Sequence, residues 1–209
     1  MDEVFPGVYL IEEGDIGGGW RELTWFVDTS EGGVLIDPQT FGPSTAQAVD
    51  RLGGAKVVFV THGLAAGDAC KFKERYRARL VCHRAAAPAI RACAVDAPLE
   101  GDAAVVQGAR AVFSGVHSPG STMLYAMRDR GFLFAGDFLA VTGGRGPATL
   151  QVREGGDPDQ RRRTLLHLKA LRFGAVLPFR TRHDTASHIA GASEPLIDAL
   201  TRTGAYTLR

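Results

Sequence analysis

The sequence predicts an α+β fold, a four-layer αββα sandwich in which two β-sheets pack face to face and helices cover both outer faces. Strand-like runs followed by helix-like runs occur in both halves of the chain, as a two-sheet sandwich requires. The first third consists of consecutive predicted strands, which does not suit the alternative of a single doubly wound α/β sheet. The 209 residues contain no internal repeat or low-complexity linker, so we interpret residues 1–209 as one domain.

The elements of the first half are predicted from β-branched and aromatic runs bounded by turn residues, and from helical spacing of apolar residues. Strands are predicted at 7–13, 22–29, 33–38, 56–60 and 79–83, and helices at 43–54 and 68–78. Ser44 is the expected N-cap of the first helix and Gly53 its expected C-cap. A weak helical pattern at 84–94 is interrupted by Pro88.

The second half repeats the order of strands followed by helices. Strands are predicted at 104–108, 110–116, 122–128, 131–137 and 174–178, and helices at 157–173 and 192–203. The Gly-rich segment 141–147 lacks the spacing of a phosphate-binding loop, so we interpret it as an ordinary connection.

Composition and charge exclude several classes of function. Lys and Arg number 24 against 23 Asp and Glu, so no strong field attracts nucleic acid or a membrane surface. No apolar run approaches the ~20 residues that span a bilayer. The N-terminal stretch MDEVFPGVYLIEEGD is acidic and lacks the regions of a signal peptide, so a cytoplasmic location is expected. A small molecule is the expected partner, and a homodimer is left open because no apolar surface stripe marks an interface.

The three cysteines are Cys70, Cys82 and Cys93. Their odd number and wide spacing argue against a disulfide framework or a zinc knuckle. We therefore expect all three to be small apolar residues, mostly buried.

Three polar residues that can ligate a metal follow predicted strands. His62 follows VVFV, His117 follows AVFSGV and Asp137 follows FLFAG. Strand ends hold side chains rigidly at one rim of an α/β scaffold. Two imidazoles and a carboxylate form a complete ligand set for zinc or iron(II) and leave positions open for water or substrate. Taken singly, each residue also has an ordinary explanation, as a structural histidine or a turn aspartate.

The order of these motifs resembles that of the metallo-β-lactamase-fold superfamily. The segments LIDP, VVFVTHG, GDACKFKERYRARLVCH, HSPGSTMLYAM, GFLFAGDFL and AVLP occur in the family's order and cover most of the chain. The resemblance implies an αββα sandwich with metals at the rim between the two sheets. It puts His62 at the start of the first metal motif, His117 at the metal histidine of the next, and Asp137 at the bridging aspartate.

The chain departs from the family pattern at the second metal position. Leu64 stands where the second histidine of the first motif is expected, and the aspartate and third histidine of that motif are absent. Phe179 and Arg180 replace the Gly-His expected after VLP. The resemblance therefore implies a reduced site that holds one metal rather than two.

Other residues are candidates to complete this reduced site. Asp68 begins the helix after the shortened loop, where it either caps the helix or reaches the site. His183 lies just beyond the family's last histidine and is either a ligand or an exposed loop residue. Arg180 is suited to bind an anionic substrate or to compensate the charge of Asp137. The predicted catalytic residues are Asp137, Asp68 and Arg180, and the predicted metal ligands are His62, His117, Asp137 and His183.

The sequence leaves three functions open. The first is a hydrolase with one divalent metal, zinc rather than iron, that activates water to attack an ester, thioester, lactone or amide. The second is an iron oxygenase on the same three residues, similar to the persulfide dioxygenases of this superfamily. The third is a non-catalytic scaffold of the same fold that has lost its metal.

Overall fold

A computed structural model of the chain describes residues 1–142, 149–152, 157–191, 193–203 and 205–207. Over these residues the chain forms seventeen strands, four α-helices and two short 3₁₀ turns. None of these helices is both long enough and apolar enough to cross a membrane.

The elements follow one another in the order strands, helix, strand, helix in the first half, and strands then helices in the second. The strands are β1 Asp2–Phe5, β2 Val8–Gly17, β3 Trp20–Val27, β4 Gly33–Ile36, β5 Ala55–Val60, β6 Arg79–His83, β7 Ala97–Leu99, β8 Ala103–Val106, β9 Ala109–Phe113, β10 Thr122–Ala126, β11 Phe132–Gly136, β12 Leu139–Thr142, β13 Thr149–Val152, β14 Ala175–Pro178, β15 Arg180–Arg182, β16 Ile189–Ala190 and β17 Ala205–Thr207. The helices are α1 Pro43–Arg51, α2 Ala69–Tyr76, α3 Pro158–Ala170 and α4 Ser193–Thr203, and the 3₁₀ turns are Gly63–Ala65 and Ala87–Ala89.

The strands form two sheets. The larger has the order β17-β13-β12-β15-β3-β4-β5-β6-β7, with β2 paired on β3 and β1 on β2. The smaller has the order β16-β14-β11-β10-β9-β8. In the larger sheet β4, β5, β6 and β7 are parallel, and in the smaller sheet β11 and β14 are parallel. Parallel strands end at the same edge of a sheet, so polar residues that follow them are brought together.

Three apolar layers separate the two sheets and the two pairs of helices. The central layer lies between the sheets and joins Trp25 and Phe59 of the larger sheet to Phe132 and Phe134 of the smaller. A second layer packs α1 and α2 on the outside of the larger sheet, around Phe72. A third packs α3 and α4 on the outside of the smaller sheet. This arrangement is the predicted four-layer αββα sandwich.

The alternation of side chains along the inner strands explains why their sequences are almost wholly apolar. In β5, Val57 and Phe59 belong to the central layer, whereas Val58 and Val60 belong to the layer under α1 and α2. A strand that is covered on both faces has no solvent side, so the alternation of apolar and polar residues disappears. The prediction that 56–60 is buried on both faces is confirmed.

The main helices and strands lie where the sequence predicts them, and the differences are local. Ser44 is not the N-cap: Gly42 takes that position and no side chain caps α1, because Pro43 begins the helix at a position that needs no N–H. Gly53 has φ +85° and lies one residue beyond the C-cap Leu52. The weak helical pattern at 84–94 forms only one 3₁₀ turn. Residues 143–147 of the Gly-rich segment lie outside the described residues.

The cysteine prediction is wrong for two of the three residues. Cys70 in α2 and Cys93 form a disulfide, with their Cα atoms 5.7 Å apart. Cys82 in β6 remains a free, buried thiol, as expected. The sequence separation of 23 residues conceals the pair, because β6 and the following turn bring the two cysteines back together. A disulfide is rare in reducing compartments, so the cytoplasmic location stays an untested prediction.

Thiol titration tests this pairing directly. The protein unfolded in guanidinium without reductant is expected to show one reactive thiol, that of Cys82, and three after reduction. Replacing Cys93 by serine is expected to lower the free energy of unfolding by about 2–4 kcal/mol under oxidising conditions, since the closed loop no longer restricts the unfolded chain. Under reducing conditions the same variant should unfold like the reduced wild type. Three reactive thiols in the unreduced protein would contradict the pairing.

Candidate metal centre

Two histidines and one aspartate meet at the edge where the two sheets face each other. His62 follows β5, Asp137 follows β11, and His117 lies in the loop between β9 and β10. One ligating atom from each of the three residues lies within 4.8 Å of the other two. The Nε2 atoms of His62 and His117 are 3.4 Å and 3.1 Å from Oδ2 of Asp137. The structure therefore brings together the three residues that the strand ends indicated.

The buried atoms of this cluster have no hydrogen-bond partner. Within the described residues, Nε2 of His62 and both carboxylate oxygens of Asp137 accept or donate no hydrogen bond. The side chains of His62 and Asp137 are each only 1% exposed. Buried polar atoms are almost always paired, because each unpaired one costs about 1–3 kcal/mol and more when it is charged. These orphaned atoms all point at one another, which fits a shared cation.

The hydrogen bonds around Thr61 determine which ring nitrogen of His62 is free. The Thr61 hydroxyl donates to Oδ2 of Asp37 at 2.7 Å, and the Thr61 N–H donates to Oδ1 at 2.7 Å. Because the single hydroxyl proton of Thr61 is donated to Asp37, Oγ1 of Thr61 accepts a hydrogen bond from Nδ1–H of His62 at 3.0 Å. Nε2 then carries a lone pair and faces Asp137. A supporting hydrogen bond on the other ring nitrogen is the usual arrangement of a metal-binding histidine.

Asp37 anchors Thr61 and, through it, the ring of His62; this residue was not among those selected from the sequence. It follows β4, has φ +50° and is 1% exposed. Burial raises the pKa of the Asp37 carboxyl to about 7, against the opposing effects of His62 and the Thr61 donors. Asp37 follows an apolar strand as the three cluster residues do, so the same signal was present in LIDP.

The acidity of Asp137 is controlled by its neighbours. Burial acts to raise the pKa of this carboxyl, but the adjacent His117 and His62 and the positive charge of Arg180 together hold the pKa below its usual range. Nη1 of Arg180 is 3.6 Å from Oδ2 of Asp137. Asp137 is therefore ionised, and its buried oxygens lie beside both imidazoles without a hydrogen bond of ordinary geometry.

His117 supplies the accessible side of the cluster. Its side chain is 18% exposed, against 1% for Asp137. Its φ of +76° is unusual for a residue with a Cβ and costs about 1–2 kcal/mol. Ser118 and Ser121 bond to each other beside it, and the Thr122 N–H donates to the Thr61 carbonyl at 2.8 Å. The loop that holds His117 is thus attached directly to the strand end that holds His62.

Arg180 lies beside the cluster, whereas two other predicted site residues do not. Nε2 of His183 is 3.0 Å from Oδ1 of Asp15, and its side chain is 44% exposed. Asp68 accepts from the Phe41 N–H at 2.8 Å and pairs with Lys71 at 3.0 Å. Neither joins the group of ligating atoms found among the described residues.

Asp68 also does not cap its own helix in the predicted way. It stands at the N-cap position of α2, but its side chain makes no capping hydrogen bond there. The carboxylate instead bonds to the backbone that leads into α1. The short loop after His62 therefore turns Asp68 toward α1 and away from the cluster.

Glu22 in β3 is a further neighbour that sequence patterns gave no reason to select. Its Oε1 accepts from Nε and Nη2 of Arg180 at 3.1 Å and 2.6 Å. Strands β3 and β15 are antiparallel and place Glu22 directly opposite Arg180. Only the pairing of two strands that are 158 residues apart in the chain creates this contact.

Comparison with known proteins identifies the fold. No protein-family profile and no curated protein matches this chain. Among solved structures, a metallo-beta-lactamase from Pontibacter korlensis has a TM-score of 0.68 at 17% identity, over 96% of this chain and 95% of that one. The chemotaxis sensor ODP, solved as a peroxy diiron species, has a TM-score of 0.65 at 15% identity over 94% and 91%. TTHA1623 in a di-iron-bound form has a TM-score of 0.62 at 21% identity over 92% and 98%.

These likenesses show that the chain has the metallo-β-lactamase fold. The resemblance of the sequence motifs is thereby confirmed at the level of the fold. The identities of 15–21% describe a divergent example of it.

Gly136, which precedes Asp137, provides a test of how tightly the strand ends are packed. It has φ +54°, and a Cβ there would lie 2.8 Å from Cβ and Oγ1 of Thr61. We expect Gly136→Ala to lower the free energy of unfolding by about 2–4 kcal/mol, from backbone strain and overpacking together. Gly101 has φ +84° with open space around it, so Gly101→Ala should show the backbone cost alone, about 1–2 kcal/mol. Urea denaturation measures both, and equal losses would contradict the close packing on Thr61.

Proposed function

We propose that this protein is a metal-dependent hydrolase with a mononuclear centre on His62, His117 and Asp137. The observation that carries this proposal is the orphaned set of buried acceptors, Nε2 of His62 and both oxygens of Asp137. An ionised carboxylate beside a lone pair, without a donor, is unfavourable in a buried site unless a cation lies between them. Two imidazoles with one carboxylate suit zinc or iron(II).

Several residues around the cluster favour one metal rather than two. Leu64, in the turn after His62, is 70% exposed and offers no ligating atom. The positive charge of Arg180 lies 3.6 Å from Asp137, and a second dication placed there would be repelled by it. No further His, Cys, Asp or Glu joins the group within the described part of the chain. These features support a mononuclear site on a fold whose named neighbours include dinuclear proteins.

The chain itself contributes orientation, access and shielding to the proposed reaction. A zinc ion held by His62, His117 and Asp137 would supply an activated water at neutral pH and Lewis-acid polarisation of a carbonyl group. Thr61 and Asp37 hold His62 in the tautomer that directs Nε2 to the ion. Phe179, which is 1% exposed, packs its ring 5.4 Å from that of His62 and keeps water away from that side. A small-molecule substrate then approaches from the side of His117.

A second candidate function is iron-dependent oxygen chemistry on the same three residues. Two of the neighbours are described with iron, TTHA1623 as di-iron-bound and ODP as a diiron chemotaxis sensor. Two histidines and a carboxylate on one side of an iron(II) ion leave positions open for dioxygen. We favour zinc because water activation needs no further redox group.

Metal analysis of protein purified without chelator tests the centre. We expect about one equivalent of zinc per chain, bound by the three-ligand set. Replacing His117 or His62 by alanine should abolish uptake, since two ligands do not hold the ion against competing water. About one equivalent of iron would instead support the oxygenase.

Two histidine variants serve as matched controls. His167→Ala removes an exposed histidine that lies 3.0 Å from Asp102, and His183→Ala removes the one beside Asp15. Both should keep the full metal content. A chain that takes up neither zinc nor iron would contradict the proposal and support a non-catalytic scaffold, whereas loss of metal in the His183 variant would restore that residue as a ligand.

A further inference from the structure

We propose that Arg180 is the substrate-binding cation of this site and that the substrate carries a carboxylate. This inference rests on the proposed metal centre and adds the substrate class to it. The arginine takes the place where the family pattern has a histidine after the strand VLP.

Glu22 fixes Arg180 in an orientation that leaves part of its guanidinium free. Nε and Nη2 both donate to Oε1 of Glu22. A guanidinium has five N–H groups, so Nη1 and the second hydrogen of Nη2 remain. Nη1 lies 3.6 Å from Oδ2 of Asp137 and makes no hydrogen bond among the described residues. The free end of the side chain therefore faces the cluster, where it acts on Asp137 by its charge and keeps N–H groups that no described residue accepts.

The same free end is also reachable from solvent. The side chain of Arg180 is 22% exposed and that of Glu22 14%, whereas Asp137 and His62 are almost fully enclosed. Arg180 and His117 are therefore the accessible groups of the cluster. A ligand that approaches the metal from this side contacts the guanidinium as well.

The charges around the site favour an anion in that position. The charges of Arg180 and Glu22 cancel, and the two positive charges of a divalent metal ion outnumber the single negative charge of Asp137. The loaded site thus keeps a positive charge close to free guanidinium N–H groups. The Nη1–Nη2 end presents two parallel donors, which match the two oxygens of a carboxylate.

A pair of small thiols tests this assignment without a known substrate. Cobalt(II) is loaded in place of zinc, because its absorption reports thiolate binding. Mercaptoacetate and 2-mercaptoethanol both offer a thiolate to the cobalt, but only mercaptoacetate offers a carboxylate to Arg180. The ratio of their dissociation constants is the measured preference.

The informative variant is the double substitution Arg180→Gln with Glu22→Gln. It removes one positive and one negative charge together, so the net charge of the site is kept and Glu22 is not left without its partner. We expect it to retain cobalt affinity and to lose about tenfold in its preference for mercaptoacetate, the size of one charge-assisted hydrogen bond. Any chelation by the probe itself is equal in both proteins and cancels.

Arg182→Gln is the matched control, since Arg182 lies on the same strand but contacts Trp20 and Gly18. It should keep the wild-type preference. An unchanged preference in the double variant, an equal loss in the Arg182 variant, or loss of cobalt affinity in the double variant would each overturn the role of Arg180 and leave the metal centre standing. Failure of the wild type to take up cobalt would overturn the metal centre and, with it, this inference.

Discussion

The buried charge of Asp137 is the constraint on which the rest of the site depends. A carboxylate that is 1% exposed must be compensated, and no N–H or O–H donor among the described residues bonds to its oxygens. Arg180 supplies part of the compensation from 3.6 Å away, beyond hydrogen-bond distance. The lone pair of His62 faces the same space and increases the local negative potential. The fold therefore maintains a buried, electron-rich group of atoms. A cation bound among them would compensate the negative charge of Asp137.

Backbone hydrogen bonds at the strand ends hold this pocket in shape, and one of them joins the two sheets. The Thr122 N–H donates to the Thr61 carbonyl, and the Phe179 N–H donates to the Gly136 carbonyl. The first bond links the loop of His117 to the strand end of His62, and the second links the strand ends before Arg180 and Asp137. Because backbone hydrogen bonds hold the segments that carry His62, His117 and Asp137, these side chains need little rearrangement, which would lower the ordering cost of the proposed metal binding.

At two positions the site differs from the metallo-β-lactamase pattern because a metal-binding histidine is replaced by an apolar residue or by a cation. Leu64 and Arg180 stand at positions where the pattern has histidines, and the two substitutions act in the same direction. Leu64 removes a ligand, and Arg180 places a fixed monovalent cation beside the aspartate that would otherwise bridge two metals. Glu22 opposite Arg180 in the neighbouring strand shows that the arginine is held in position rather than merely exposed. The charges of Arg180, Glu22 and Asp137 are thus consistent with the proposed single metal.

The sequence by itself determined the sandwich and the three central residues, because strand-length apolar runs and the polar residues that end them are local patterns. His62, His117 and Asp137 could be selected for that reason. Tertiary structure alone decided the fate of the others. His183 pairs with Asp15 and Asp68 with the backbone before α1, because the hairpin of β2 and β3 and the start of α1 bring those partners into reach. The Cys70–Cys93 bond, the support of His62 by Asp37 and the Glu22–Arg180 pair likewise join residues far apart in the chain. The separation of two residues in the sequence does not indicate their distance in space when they lie on different strands. These contacts are therefore known only once the pairing of the strands is known.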